Sequence, residues 1–316
     1  MKTSVLYALL SLSLGAALSE PAFADSTRPY PDIADSSHAS PAVAAWVARF
    51  FDAKSRHDPI GLTDNFSKEH ILYIDTTLGW QWKSYQELKD LFVTYMPKWP
   101  ASGLSYPTLV LGDEKSALVA FTDTPELFGG ELRILGAVDF ENGKVVRWMD
   151  YWDGRPYGIP ALQKARTPAD KWPNEFGAAE VGEHASAKLR TTSETLNTML
   201  AAGDGSGAAK LFSFDAVYID MSTHAYLAGQ AAIGRYLERA VGKLPYGRNA
   251  KLQHVVGSDT GGGYEWVTGT GAPVRYGATA LVLDPDGKIL KLMTVWDSSQ
   301  LTNTQMHDLA ALAIDP

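Results

Sequence analysis

Cysteine is absent from the 316 residues. That excludes a thiol nucleophile, a zinc–thiolate centre, an iron–sulfur cluster and disulfide stapling, so stability has to come from core burial. Basic charge is also short: 28 Lys and Arg stand against 36 Asp and Glu, a net charge of −8. Nucleic acid needs a clustered basic face and no Lys/Arg run occurs, so nucleic acid is not expected as a partner, nor is an anionic membrane surface. The seven histidines show no HExxH or paired-ligand spacing, so no metal is expected. No Gly-x-Ser-x-Gly elbow is present. Gly261 to Gly263 does not open a helix after a strand, and reads as a hairpin loop rather than a phosphate cradle. No motif calls for a cofactor.

Long apolar runs are scarce as well. Val5 to Leu18 follows Lys2 and is followed by Ala22-Phe23-Ala24, a small-x-small cleavage pattern. The expectation is a signal peptide over residues 1–24, a mature chain starting at Asp25, and a secreted or periplasmic protein. An uncleaved anchor is the alternative, although the run is short of the roughly 20 residues of a membrane span. No comparable run follows, so no stable membrane insertion is expected after the leader is removed.

What is present is a repeated pattern of elements. Asp25 to Ala39 reads as a flexible lead-in. Ser40-Pro41 starts a helix with Val43, Trp46, Val47, Phe50 and Phe51 on one face. A strand Ile71 to Thr76 carries Tyr73 and Asp75. Ser84-x-x-Glu87 is a capping-box pattern for a second helix with Leu88, Leu91, Phe92 and Tyr95 inward. The period then changes to 2 over Leu104–Leu111, Ser116–Thr124, Glu131–Phe140 and Val145–Trp152, with Asn142-Gly143 as a hairpin turn. Residues 38–160 form the first domain. A Pro/Gly/Lys-rich stretch from Gly154 to Gly182, centred on 161–183, reads as a linker. The order then recurs over 184–305: a helix Ser186–Ala202, a flexible turn Gly203–Gly207, a strand with Tyr218 and Asp220, a helix Gln230–Val241 and four strands. Tyr73 and Asp75 return as Tyr218 and Asp220 at an offset of 145 residues. The sequence is expected to be α+β, one fold written twice, with helices packed in a curved antiparallel sheet and the two copies forming an internal pseudo-dimer, possible as a monomer.

Helix, strand, helix and meander ending in an aromatic-Asp motif resembles the NTF2-like cone fold, in particular its SnoaL-like branch. The first copy is similar to the limonene-type epoxide hydrolases. Tyr73-Ile74-Asp75 matches that group's Tyr-x-Asn strand, Phe121-Thr122-Asp123 falls at its Arg-x-Asp, and Ile134-Leu135-Gly136, Gly143-Lys144-Val145 and Trp148-Met149-Asp150-Tyr151-Trp152-Asp153 match its ending. The resemblance implies that Asp150 activates water, Asp123 protonates the epoxide oxygen, and Tyr73 and Asp75 hold the water. Phe121 stands where the group has arginine, and Asp75 where it has asparagine. Tandem chains of this fold also resemble polyether epoxide hydrolases, in which an aspartate at the Tyr-x-Asp position resembles the base, as it does in ketosteroid isomerases.

Strand alternation leads independently to the same residues. Tyr73 and Asp75 share a face, as do Phe121 and Asp123, and Trp148, Asp150 and Trp152. Three carboxylates then converge on an aromatic-lined cavity in which Phe121, Trp148 and Trp152 contact substrate. With no arginine among them, desolvation and like charge should keep at least one acid protonated near neutrality, which pairs an acid with a base. The recurrence of Tyr-x-Asp has two readings: chemistry, with Tyr218 and Asp220 binding substrate, or a hydrogen bond that stabilises the fold. In the second copy Asp123 aligns with Gly269 and Asp150 with Thr294, leaving Glu265 as the nearby acid. Trp80, Trp82 and Trp99 line a mouth or belong to the core. The functional expectation is opening of an epoxide in a polyketide or terpenoid intermediate. The alternatives are a SnoaL-like cyclase or isomerase with Asp75 as base, and a secreted module that binds an apolar ligand without chemistry.

Overall fold

The computed structural model describes residues 28–314, so the expected leader and its cleavage site lie outside the described residues. The first half runs β1 (Asp35–Ala39), α1 (Pro41–Ser55), α2 (Pro59–Thr63), β2 (Leu72–Asp75), β3 (Trp80–Trp82), α3 (Tyr85–Tyr95), β4 (Ser105–Gly112), β5 (Ser116–Asp123), α4 (Pro125–Phe128), β6 (Leu132–Glu141) and β7 (Lys144–Trp152). Two short helices follow, α5 (Ile159–Ala165) and α6 (Ala178–Val181). The second half repeats the plan with α7 (Ala187–Ala202), α8 (Gly205–Ala209), β8 (Phe212–Asp220), β9 (Ala225–Ala228), α9 (Gln230–Ala240), β10 (Lys251–Ser258), β11 (Gly261–Val267), β12 (Tyr276–Leu283), β13 (Ile289–Trp296) and α10 (Asn303–Ala311).

The chain is mixed α+β. One sheet has the order β1-β4-β5-β6-β7-β2-β3 and the other β10-β11-β12-β13-β8-β9. Without β1, the two orders match strand for strand. The sequence predicts a purely antiparallel sheet, and neither sheet is one: β2 lies parallel to β7, β8 parallel to β13, and β1 parallel to β4. The long helical crossover between β2 and the meander returns the last strand beside the first, which fixes a parallel pairing. The stretch read as a flexible lead-in therefore contains an edge strand.

Local signals explain most elements. Ser40 caps α1 by accepting from the Val43 amide at 3.3 Å, and Val43, Trp46, Val47, Phe50 and Phe51 are all buried. Ser84 caps α3, but Glu87 reaches past it to the Lys83 amide at 2.6 Å. Leu88 and Phe92 are buried under α3, whereas Tyr95 is 55% exposed and stands off the core. Asn142 and Gly143 both take positive φ, 52° and 73°, as a tight primed hairpin requires.

Two glycine-rich stretches differ from their expected form. Gly261 to Gly263 lie inside β11, not in a loop. A Cβ at Gly263 would stand 2.5 Å from Leu118 Cδ1 of the other sheet, and one at Gly262 would stand 2.6 Å from Leu189 Cδ2 of α7. These glycines let a strand be approached closely on both faces. Gly203–Gly207 is not a flexible turn either. Asp204 accepts from the Gly207 amide at 2.7 Å and starts α8, whose Gly205 packs on the backbone of α9. At the far end α10 runs past the expected boundary at 305 and buries Leu309 in the second core.

Three apolar cores hold the halves together. One lies between α1, α3 and the first sheet, one between α7, α9 and the second sheet, and the third between the two sheets, built from residues such as Ile74, Leu118, Met149, Val256, Ala280 and Val295. A buried ionic network crosses this third core. Arg147 on β7 donates to Asp139 at 3.2 Å, to Glu265 on β11 at 2.6 Å and to the Phe176 carbonyl at 2.5 Å. Tyr151 donates to Glu265 at 2.7 Å, and His254 Nε2 lies 3.0 Å from Asp139. At the sheet ends the two halves clasp each other. The Ser298 amide donates to Asp153 at 2.9 Å, and the Gly154 amide donates to Asp297 at 3.2 Å.

Candidate functional site

The parallel pairing of β2 with β7 sets Tyr73 opposite Trp148 and Asp75 opposite Asp150. All four side chains point into the first core, as alternation requires. The Tyr73 hydroxyl donates to Asp150 Oδ2 at 2.5 Å, and Trp148 Nε1–H donates to Asp150 Oδ1 at 2.5 Å. Trp148 is itself fixed by ring contacts with Phe50, stacked at 4.8 Å, and with Trp46, Phe66 and Phe121. Asp150 is 5% exposed, and burial pushes its carboxyl up to about 7 against the pull of its two hydrogen bonds and of Lys54. Tyr73 is pushed well above its ordinary value by burial and by the Asp150 charge, so it stays a proton donor in that pair.

Lys54 is the cation of the site. It sits on the last turn of α1 with its side chain 12% exposed, and its Nζ lies 2.9 and 3.1 Å from the two oxygens of Asp123 and 4.8 Å from the Phe121 ring centroid. The expectation of three acids without a cation is corrected here. β5 carries no arginine, and the cation comes instead from a lysine 69 residues before Asp123, on the covering helix.

Asp75 has a different setting. One oxygen accepts from the Thr77 and Leu78 amides at 3.0 and 2.9 Å, and the other accepts from Trp152 Nε1–H at 3.0 Å. Burial raises it to about 6, with those three bonds opposing. Asp220 repeats this arrangement, accepting from the Ser222 and Thr223 amides at 3.0 Å each and from Trp296 Nε1–H at 3.3 Å. Of the two readings of Tyr-x-Asp, the shared one is structural: the aspartate ties the end of a strand to the turn after it and to the tryptophan of the last strand.

Asp150, Asp123, Asp75 and Tyr73 thus gather in the first core, with Phe121, Trp148 and Trp152 buried around them at 3%, 1% and 2% exposure. Trp148 and Trp152 position Asp150 and Asp75 through their indole N–H groups, and Phe121 packs against Trp148. Partly exposed Tyr73, Trp82, Trp99, Tyr106 and Tyr157 border the same core, while Trp80 is exposed. Tyr218 and Asp220 lie in the other core and do not join the group. There Tyr218 bonds Tyr246, Tyr246 donates to Asp220 at 2.9 Å, and the void at the centre is about 10 Å³.

Strand register also corrects the correspondence between halves. Phe121 and Trp266 occupy equivalent ladder positions, so Asp123 corresponds to Thr268 rather than Gly269, whereas Asp150 does correspond to Thr294. Glu265, one position from Trp266, faces the other sheet and neutralises Arg147, so it is not an acid of the second core. Two roomier cavities, about 340 and 570 Å³, lie elsewhere: one between the sheets and one under α10. Among the described residues no cluster of three His, Asp or Glu side chains could hold a metal ion, and no helix is long and apolar enough to cross a membrane.

No family model matches the chain, and no curated protein matches it by sequence. It is similar to solved structures that each cover between 33% and 42% of it. A steroid delta-isomerase from Pseudomonas aeruginosa shows 17% identity over 42% of this chain and 93% of its own, with a TM-score of 0.32. A SnoaL-like protein of unknown function from Burkholderia thailandensis shows 13% identity over 35% and 96%, with a TM-score of 0.31. An NTF2-like protein of unknown function from Cytophaga hutchinsonii shows 10% identity over 36% and 92%, with a TM-score of 0.31.

Proposed function

We propose that the first half is a cofactor-independent acid–base catalyst that opens an epoxide of a polyketide or terpenoid intermediate, by hydrolysis or by attack of a substrate hydroxyl. One observation carries the reading. A buried carboxylate of near-neutral pKa, Asp150, is held by two donors beside a lysine–carboxylate pair, Lys54 and Asp123, in one aromatic core. Ionised Asp150 takes the proton of water or of the attacking hydroxyl. The new C–O bond forms as the epoxide C–O bond breaks, and the Lys54–Asp123 pair delivers a proton to the departing oxygen. A base with a pKa near the working pH is the efficient choice for such a transfer. Tyr73 and Trp148 aim Asp150, and Asp75, saturated by three hydrogen bonds, fixes the strand end. That saturation weighs against Asp75 as the base of an isomerase, so in a cyclase or isomerase reading the base is again Asp150.

The second half, whose core is filled, completes the fold as the partner in an internal pseudo-dimer, and the chain is exported after cleavage following Ala24. Recovery of exported material whose first residue is Asp25 tests that last point. The functional test is turnover of a small epoxide panel in ¹⁸O water with wild type, Asp150→Asn, Asp123→Asn and Lys54→Met. Diol or cyclic ether formation, lost by at least about a hundredfold in each variant, is expected, and label in the product separates hydrolysis from cyclisation. A folded wild type inert on every epoxide would sink the epoxide reading. Proton exchange next to a ketone would then favour the isomerase, and binding of apolar ligands without turnover would favour the non-catalytic module.

A further inference from the structure

The cavity of about 340 Å³ opens where the three cores meet. It is assembled from three parts of the chain. The first sheet supplies Thr76, Thr77 and Trp152, the second sheet and its β11–β12 hairpin supply Arg275, Tyr276 and Trp296, and the stretch between the halves supplies Arg166, Thr167 and Trp172. That stretch reads as a linker in the sequence, and in the structure it is pinned across the junction. Arg166 donates to the Thr77 carbonyl at 3.1 Å and pairs with Asp297, and Thr167 donates to the Gly79 carbonyl at 2.7 Å. Trp172 lies against Gly79, close enough that a Cβ there would stand 2.8 Å from the indole.

The electrostatics of this cavity are one-sided. Arg166 is neutralised by Asp297. Arg275 is exposed and lies over the Tyr276 ring at 5.1 Å, and among the described residues no carboxylate lies within 4 Å of it. Tyr276 is backed by Phe176 at a ring distance of 4.7 Å, so the platform under the guanidinium is fixed. A planar aromatic wall and one uncompensated guanidinium, in a volume at the lower end of ligand pockets, suit a small amphipath with a single negative group. We propose that this inter-sheet cavity binds a monoanionic aromatic or isoprenoid-like molecule, with its anion on Arg275 and its apolar body against Trp172 and Tyr276. The site is separate from Asp150, but one wall is shared: Trp152 lines the cavity and its Nε1–H holds Asp75 at 3.0 Å.

The test compares two probes of nearly equal shape, 1-anilinonaphthalene-8-sulfonate and the neutral N-phenyl-1-naphthylamine, by fluorescence titration. Wild type should bind the sulfonate saturably. Arg275→Gln should weaken it about tenfold, the worth of one charged hydrogen bond, and leave the neutral probe within about twofold. Trp172→Ala should weaken both. Arg275 is on an exposed hairpin, so its replacement leaves folding intact, and a thermal melt checks this even if the Trp172 variant is unstable. No saturable binding of the sulfonate, or binding that Arg275→Gln leaves unchanged, overturns the assignment.

Discussion

Replacing Asp150 with asparagine should make the protein more stable at alkaline pH while removing its chemistry. The sign follows from the raised carboxyl. Its folded pKa of about 7 lies above the ordinary 3.8, because burial disfavours the charge. The folded state therefore holds a proton that the unfolded state has already released between those two values. Stability from this group is complete below the unfolded pKa and is lost as pH rises through about 7. The gap of about 3 units corresponds to roughly 4 kcal/mol, of which about 3 kcal/mol develops between pH 4.5 and 8.5. Asparagine cannot ionise. Its carbonyl oxygen can still accept from Tyr73, while its amide faces Trp148 Nε1–H and loses that bond, a cost of about 1 kcal/mol or somewhat more that does not change with pH. Urea melts of wild type and Asp150→Asn at the two pH values isolate the term, because every other titrating group is common to both proteins. The variant should gain about 3 kcal/mol on wild type between pH 4.5 and 8.5. A difference that is flat with pH would mean that Asp150 ionises normally, and the acid–base reading would lose its base.

Three further outcomes follow from particular contacts. Lys54→Met removes a cation that lowers the Asp150 pKa, so any surviving activity should have its acidic limb displaced to higher pH, read from a kcat/KM profile. Glu265→Gln unbalances the buried Arg147 charge between the sheets and should cost about 3–5 kcal/mol in a denaturant melt, whereas replacing Arg147, Asp139 and Glu265 together with apolar residues should cost much less. Gly263→Ala forces a Cβ to 2.3 Å from the Thr279 carbonyl oxygen and 2.5 Å from Leu118 Cδ1, and should lower stability by about 1–3 kcal/mol without touching the Tyr73–Asp150 pair.

Much of the fold could be read along the chain, because its signals are local. The Ser40 cap, the Asn142-Gly143 turn and the period-2 strands each declare themselves within a few residues, and alternation puts Tyr73 with Asp75 on one face and Asp150 with Trp148 and Trp152 on another, whose apolar members mark it as inward. The misses share a cause, which is contact across sequence distance. Lys54 follows the apolar stripe of α1 and reads as a surface lysine until β5 is packed beneath it. Glu265 alternates out of its own core, and nothing nearby in sequence says that a second sheet carrying Arg147 waits there. The glycines of β11 look like a loop because their purpose is the close approach of Leu118 and Leu189. The stretch after β7 lacks periodicity because it is held by individual hydrogen bonds from Arg166 and Thr167 rather than by a repeating face.

The pairing of β2 with β7 also sets a timetable for the molecule. Tyr73 meets Asp150 across 77 residues, through a parallel ladder that requires the whole intervening meander to be in place. Hairpins between neighbouring strands close small loops, whereas this contact closes one of the longest in the half and is correspondingly slow to form. During refolding from urea, β-sheet signal and tryptophan burial should therefore appear before any turnover. On the proposed chemistry, a newly made chain would pass through a structured, inactive interval, with Asp150 and its Tyr73 partner still in separate pieces.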